Sequence, residues 1–233
     1  MNFYLLVAAS LFLQPVLVGQ TSAEARSNAC GRGPRRVPTP RGSALVRAKN
    51  LGLGTRQAAG HLISKAPKPR WVRVAANRGH PVKRLLWPVR KTKLGRGFGF
   101  TRDNLPDRQH KGVDIKAKRG VTVRAAADGL VAYSDNGVCG YGNMVMIVHP
   151  NGWVTLYAHL QKATVQAGAF VKRGERIGLV GDTGKARGPH LHFELYEKGR
   201  PTDPVAHFVG VKLKQHQLAK ATKVTKTRRL RRH

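Results

Sequence analysis

The sequence predicts a mainly β protein, with an antiparallel β-sheet domain over residues 85–209 and a small basic, partly helical appendage before it. Two observations predict the sheet. Short β-rich runs recur between residues 97 and 180, and turn dipeptides such as Asp128-Gly129 and Asn136-Gly137 separate them at hairpin-like intervals. In the same region, no stretch of about 12 or more residues has a convincing helical period.

The predicted strands are rich in Val, Ile, Leu and aromatic residues, which favour a pleated chain. They cover residues 97–100, 121–123, 129–133, 143–148, 154–157 and 176–180. The clearest hairpin joins 143–148 to 153–157 through the turn signal Pro150-Asn151-Gly152. We therefore expect neighbouring strands to pair antiparallel.

An uncharged leader begins the chain. Residues 1–23 carry no acidic or basic side chain, and an apolar run over 3–13 is followed by the small residues Thr21-Ser22-Ala23. The run is shorter than the about 20 apolar residues that cross a bilayer, so we interpret residues 1–23 as a signal peptide. Export to the periplasm, the cell envelope or the extracellular space follows. A lipid anchor on Cys30 is disfavoured, because Ser27-Asn28-Ala29 is a poor lipidation context.

The chain is strongly basic, with a formal net charge of +32 from 43 Lys and Arg against 11 Asp and Glu. Apart from Glu24, every acid lies between Asp103 and Asp203, so the flanking segments are cationic without compensation. Such segments bind polyanions with a strong salt dependence. Because an exported chain meets anionic envelope polymers first, we expect those partners, and nucleic acid only non-specifically. The tail 210–233 is predicted to be disordered until it binds one.

Residues 24–84 are predicted to be a basic linker followed by a small helical appendage. Two short helices fit residues 43–76, interrupted at Gly52 and Gly54, with Thr55 as the N-cap of the second helix. Residues 67–70 are expected to break the chain again. A helix-turn-helix is a possible interpretation, but a helical appendage that packs on the main domain or is partly disordered is favoured.

Two cysteines, Cys30 and Cys139, lie far apart, and the sequence does not establish whether they pair. Because the chain has no Cys-x-x-Cys, a thiolate zinc finger is excluded.

Three segments carry candidate functional side chains. In the first, Gly188-Pro189-His190-Leu191-His192-Phe193-Glu194, the polar residues alternate with apolar ones, which is typical of a strand with an apolar buried face and an open face carrying His190, His192 and Glu194. The second, His110-Lys111-Gly112-Val113-Asp114, is expected to be a turn that runs into a strand. The third, Tyr157-Ala158-His159-Leu160, places His159 at the predicted end of a strand.

Two imidazoles and one carboxylate are a common ligand set for catalytic Zn²⁺, with a fourth position left for water. The remaining histidines lie in less distinctive contexts. His61 and His80 belong to the basic flanks, His149 is expected to be a turn residue, and His207 a packed or surface residue.

These segments, together with Gly142-Asn143-Met144-Val145, occur in the order and context of the lysostaphin-like (LytM-type) zinc metallopeptidases that cleave peptidoglycan peptides. The chain resembles that family over about residues 86–205. The resemblance implies a LytM-type peptidase domain in which His110, Asp114 and His192 hold the zinc. It also implies that His159 and His190 flank the open coordination site. Glu194 is then either an orienter of a ligand histidine or a solvent-exposed carboxylate.

The implied function is that of an exported zinc metalloendopeptidase acting on peptidoglycan cross-links or bridges. In the implied mechanism, zinc polarises the scissile carbonyl and activates a water molecule, while His159 or His190 accepts the proton or hydrogen-bonds the developing oxyanion. Whether the bond is in a glycine bridge or in a D-alanyl cross-link to a diamino acid stays open.

Two other functions compete with this one. An iron(II) oxygenase can use two histidines and one carboxylate, but it usually brings a histidine and the acid two residues apart. A non-catalytic cationic binder of the cell envelope or of nucleic acid, with a relic metal site, is the main alternative. The intact set of five residues favours an enzyme.

Overall fold

A computed structural model describes residues 38, 40–101 and 109–209. The helices are α1 (Gly42–Leu51), α2 (Arg56–Ser64) and α3 (Pro69–Ala76). The strands are β1 (Lys93–Leu94), β2 (Val113–Lys116), β3 (Thr122–Arg124), β4 (Gly129–Asp135), β5 (Asn143–Val148), β6 (Val154–Ala163), β7 (Phe170–Val171), β8 (Arg176–Val180), β9 (His190–Glu197) and β10 (Arg200–Thr202), followed by a short 3-10 helix, Pro204–His207. Within these residues, no helix is long and apolar enough to cross a membrane.

The predicted signal peptide, the start of the basic linker and the tail 210–233 lie outside the described residues. Those assignments, Cys30 among them, therefore remain predictions, as does the domain division at residues 84 and 85.

The strands form one antiparallel sheet, which confirms the predicted fold class. Its main path runs β1-β2-β9-β6-β5-β4-β7, while β10 pairs with β9, and β3 pairs with β8, which joins β6. The predicted hairpin is present as β5 and β6, with Val148 opposite Val154. The predicted strand at 97–100 is wrong, because those residues form a turn.

Two hydrophobic clusters occupy the two faces of the sheet. Leu191, Phe193 and Leu195 of β9 belong to the first cluster, and Tyr196 belongs to the second. Because successive strand residues point to opposite faces, the second cluster lies on the face that also carries His192 and Glu194. This face was predicted to be open, but the structure buries every residue of β9 from Leu191 to Tyr196.

The helices pack on that second face, through Leu62, Trp71 and other residues. Thr55 caps α2 as predicted, since its hydroxyl accepts a hydrogen bond from the Ala58 amide at 3.1 Å. The predicted break at 67–70 is present but lies earlier, over residues 65–68, because α3 begins at Pro69. Proline is favoured in the first turn of a helix, where its missing N–H has no intrahelical partner in any case.

Candidate metal centre

The pairing of three neighbouring strands brings the candidate residues together. Asp114 on β2 lies opposite His192 on β9, and Ala158 on β6 lies opposite the same His192. His110 precedes β2, as expected, and His159 follows Ala158 directly. His159 does not end its strand, because β6 continues to Ala163. The order β2-β9-β6 thus gathers side chains that lie up to 82 residues apart in the sequence.

Three side-chain atoms converge at the centre of this group. Nε2 of His110 lies 3.1 Å from both Oδ1 of Asp114 and Nδ1 of His192, and the last two atoms are 3.0 Å apart. A tetrahedral zinc ion with bonds of about 2.05 Å separates its ligand atoms by about 3.3 Å. The three atoms therefore have the spacing that one metal ion requires, and they form a cluster able to hold one.

The second nitrogen of each of these two histidines fixes its tautomer. Nδ1 of His110 lies 2.8 Å from the Gly97 carbonyl, which can only accept, so Nδ1 carries the proton. Nε2 of His192 likewise donates to Oε1 of Glu194 at 2.8 Å. When neutral, both histidines turn an unprotonated nitrogen towards a carboxylate oxygen. Three acceptors this close repel one another unless a metal ion or a proton lies between them, so the group is suited to a cation.

The electrostatics of the group agree with a cation site. Burial alone would raise the pKa of Asp114, but hydrogen bonds and charges of His110 and His192 hold that pKa well below its usual value. Burial lowers the pKa of His192, but Asp114 and Glu194 outweigh it and raise this pKa to about 9. The pocket therefore stabilises positive charge next to Nδ1 of His192.

Glu194 is buried, which decides between the two alternatives that the sequence left open. Its carboxylate accepts hydrogen bonds from Nε2 of His192, from the Tyr141 hydroxyl at 3.1 Å and from the Tyr196 hydroxyl at 2.5 Å. Burial alone would raise the pKa of Glu194, but the hydrogen bonds hold it below its usual value. An ionised Glu194 with three donors orients the His192 ring. The two tyrosines were not identified from the sequence.

His159 and His190 lie beside the three converging atoms. Their ring centroids are 4.8 Å apart, and Nε2 of His190 is 3.6 Å from Oδ1 of Asp114. Nδ1 of His159 donates to the Thr183 carbonyl at 2.8 Å, and Nδ1 of His190 donates to the Gly188 carbonyl at the same distance. In both residues Nε2 is consequently left as the basic nitrogen.

The backbone of His159 is unusual, with a φ of 60° in the left-handed region. Its amide donates to the Tyr141 carbonyl at 2.9 Å, so both its backbone and its ring are held by neighbouring loops. Burial, together with the charges of His192 and His190, lowers the pKa of His159 to about 4. Residues in strained conformations often lie at functional sites, which agrees with the predicted importance of His159.

Gly112 allows β2 to approach β9 closely just before Asp114. A Cβ atom at this position would overlap the Phe193 carbonyl oxygen and lie 2.8 Å from Cγ of Glu194. The glycine in His110-Lys111-Gly112-Val113-Asp114 is therefore required by packing between the two ligand-bearing segments.

The histidines outside this group have structural contacts. His149 begins the turn before β6, as expected, since its carbonyl accepts from the Gly152 amide at 3.0 Å. Its ring is fully buried and contacts the Asp128 carbonyl and the Thr155 hydroxyl. Nδ1 of His80 lies 2.7 Å from Oδ2 of Asp128. His207 packs edge-on against Trp153, as expected for a packed residue.

Several characterised proteins are similar to this chain in sequence or structure. It is 45% identical over 121 residues to the DD-carboxypeptidase/endopeptidase Mpg of Neisseria meningitidis, covering 51% of this chain and 28% of that protein. It is 45% identical over 94 residues to the peptidoglycan DD-endopeptidase ShyA of Vibrio cholerae, covering 40% of this chain and 22% of ShyA. A crystal structure of a zinc-containing peptidase from Vibrio cholerae aligns with a TM-score of 0.49 and 34% identity, over 52% of this chain and 39% of that one.

The chain thus spans about a quarter of the length of these two curated relatives. Residues 108–204, which include all five predicted site residues, match peptidase family M23. His110 precedes β2, and Asp114, His159, His190 and His192 lie on β2, β6 and β9. All five fall within this match, so residues 108–204 form a peptidase family M23 domain.

Proposed function

We propose that this chain is an exported zinc metalloendopeptidase that hydrolyses peptide bonds in peptidoglycan cross-links or bridges. One observation carries the proposal: atoms of His110, Asp114 and His192 converge within 3.1 Å, with two further imidazoles beside them. The relatives support the substrate class, because one is named a DD-carboxypeptidase/endopeptidase and another a peptidoglycan DD-endopeptidase. Export rests on the apolar leader of residues 1–23.

His110, Asp114 and His192 would hold the metal through Nε2, Oδ1 and Nδ1. Two neutral imidazoles and a carboxylate suit zinc, and three protein ligands leave a fourth position open. When bound, the ion would polarise the scissile carbonyl and activate a water molecule. The reaction adds water across the C–N bond and yields a carboxylic acid and an amine.

His159 and His190 carry the proton-transfer and oxyanion roles. The low pKa of His159 keeps its Nε2 unprotonated at neutral pH, so this residue can accept a proton there. The His190 ring lies beside that of His159, with ring centroids 4.8 Å apart, and its Nε2 would donate to the developing oxyanion when the ring carries a proton there. Loss of one such donor typically lowers kcat by about 10²- to 10³-fold.

Two variants test the division between ligand and catalytic histidines. His192→Ala should lose both the zinc and the hydrolysis of purified peptidoglycan, because it removes one of three ligands and the partner of Glu194. His190→Ala should keep the zinc and lose rate. Zinc content by mass spectrometry and release of soluble peptide fragments measure the two effects.

His61→Ala serves as a control, since His61 lies on α2, away from the metal centre, where its Nε2 contacts the Ala66 carbonyl at 2.9 Å and its ring packs edge-on against Trp71. This variant should keep zinc and activity. The assignment is wrong if His192→Ala keeps both.

A chelator separates this function from the alternative of a non-catalytic cationic binder. Metal removal should stop cleavage of wall material while binding to the wall survives, because binding depends on the basic flanks. Activity that persists without metal would contradict the proposed function.

A further inference from the structure

Arg96 contacts the carboxylate that contributes the central oxygen of the metal centre. Its Nε donates to Oδ2 of Asp114 at 2.9 Å, and its carbonyl accepts the Asp114 amide at 2.8 Å. The next residue, Gly97, supplies the carbonyl that orients His110. The segment Arg96-Gly97 therefore contacts both His110, which precedes β2, and Asp114, which lies on β2.

The two oxygens of Asp114 have separate partners. Oδ1 faces His110 and His192, whereas Oδ2 faces Arg96. Because Oδ2 already accepts a charge-assisted hydrogen bond from Arg96, Asp114 would offer a metal ion Oδ1 only.

The Arg96 guanidinium is partly exposed beside the metal centre. Nε uses one of its five N–H groups, and among the described residues the structure records no hydrogen bond from Nη1 or Nη2. The side chain is 38% exposed, against 7% for Asp114. Because the guanidinium is rigid and planar, both Nη atoms lie within about 5 Å of Oδ2 of Asp114.

A free carboxylate near the scissile bond is the chemical group that fits this fork. When it is bonded to the same carbon as the leaving nitrogen, its carbon lies about 3–4 Å from the scissile carbonyl carbon. An arginine fork next to the metal centre is then within bidentate hydrogen-bonding reach of that carboxylate.

We propose that Arg96 recognises a free carboxylate on the carbon bonded to the leaving nitrogen, and so directs the enzyme to bonds of that chemistry. This inference rests on the proposed function and narrows its substrate. A D-alanyl bond to the D-centre of diaminopimelate has such a carboxylate, and so does a terminal D-alanyl-D-alanine. A D-alanyl bond to the lysine side chain has none there, and a glycine bridge has none.

Two synthetic peptides test this recognition. Both end in D-alanyl-D-alanine, one as the free acid and one as the carboxamide, and are otherwise identical. The zinc-loaded wild type should favour the acid in kcat/KM by about 10- to 100-fold, as expected for a charge-assisted hydrogen-bonded pair. Arg96→Gln should bring this ratio close to one, and Arg96→Lys, which keeps the charge without the fork, should lie between.

The ratio of kcat/KM for the acid to kcat/KM for the carboxamide is insensitive to any change that alters both rates equally. Arg96→Gln also frees Oδ2 of Asp114, and any resulting change in zinc affinity lowers both rates equally. Lys93→Gln is the matched control, because Lys93 is an exposed cation three residues away on β1 and should keep the wild-type ratio. Zinc content is measured on every variant.

Binding of the two peptides can be measured separately from their cleavage. Calorimetry with zinc-loaded His190→Ala should show tighter binding of the acid than of the carboxamide, and adding Arg96→Gln should remove the difference. Equal rates and equal binding for the two peptides would overturn the role of Arg96 and leave the proposed function intact. If the wild type cleaves neither these peptides nor purified peptidoglycan, the proposed function fails, and the binding comparison still decides whether Arg96 selects the carboxylate.

Discussion

Acidification should destabilise the folded chain through His149, which lies outside the metal centre. Its ring is fully buried after β5, with Nδ1 donating to the Asp128 carbonyl at 2.7 Å. Nε2 then accepts from the Thr155 hydroxyl at 2.8 Å. Burial lowers the pKa of His149 to about 4, although the Asp128 hydrogen bond and charge act in the opposite direction.

The magnitude follows from proton linkage. The unfolded chain takes up the proton near pH 6.5, whereas folded His149 resists it until about pH 4. The contribution to stability is therefore complete above the unfolded pKa and is lost as the pH falls from there towards the folded pKa. For these two pKa values the loss is about 2 kcal/mol at about pH 5.

Urea unfolding of wild type and His149→Gln at about pH 8, 6 and 5 measures this term. Glutamine keeps a donor and an acceptor but does not titrate. We expect the variant to be less stable than the wild type at about pH 8. Because only the wild type loses stability through His149 on acidification, the difference in free energy of unfolding between the two should narrow by about 2 kcal/mol at about pH 5. His61→Gln, a change on α2, should show no such narrowing. A gap for His149→Gln that stays constant across this range would refute the reasoning.

Three further predictions concern the metal centre and the tail. Glu194→Gln should weaken zinc affinity by about 10- to 100-fold in a chelator competition, because it removes the charge that orients His192. Glu197→Gln, on the same strand, should leave zinc affinity unchanged. Equal losses in the two variants would contradict the role of Glu194. Gly112→Ala should lower the melting temperature and the zinc content, since its Cβ overlaps the Phe193 carbonyl. Gly60→Ala on α2 has open space around the added Cβ and should lower neither. Deletion of 211–233 should reduce wall binding at low salt more than turnover of a small soluble peptide; equal losses would count against separate binding and cutting roles.

The sheet was predictable because its signals are local. Turn dipeptides and β-branched runs located β5 and the start of β6, and the alternation of polar and apolar residues located β9. The strand β6 continues to Ala163, beyond its predicted end at residue 157. The two-residue strands β1 and β7 carry no such signal, because they form only where a longer strand offers an edge. The third helix was missed since Pro69 was taken as a break rather than a first-turn residue.

The candidate site was predictable in its residue types but not in its supporting contacts. The order of the motifs pointed to His110, Asp114 and His192, which the structure brings together. The orientation of each ring depends on acceptors from distant segments, such as the Gly97 carbonyl for His110. Spacing along the chain contains no information on these pairs.

Burial also decided points that local sequence could not. Glu194 was expected to be as readily exposed as buried, because alternation on β9 indicates a second face without saying what covers it. Tyr196 and helix residues such as Trp71 pack on that face, and Tyr141 reaches Glu194 from the loop before β5. Each comes from a different part of the chain.

With the catalytic role proposed for His159, its left-handed backbone places stability of the fold and turnover in opposition at one position. A residue other than glycine costs about 1 kcal/mol or more in this conformation, and asparagine is among the residues that adopt it most often. Laboratory evolution for heat resistance alone should therefore drift towards asparagine or glycine at residue 159, whereas evolution for wall lysis should keep histidine. A library of variants at residue 159, selected separately for heat resistance and for wall lysis, should therefore yield different residues under the two selections.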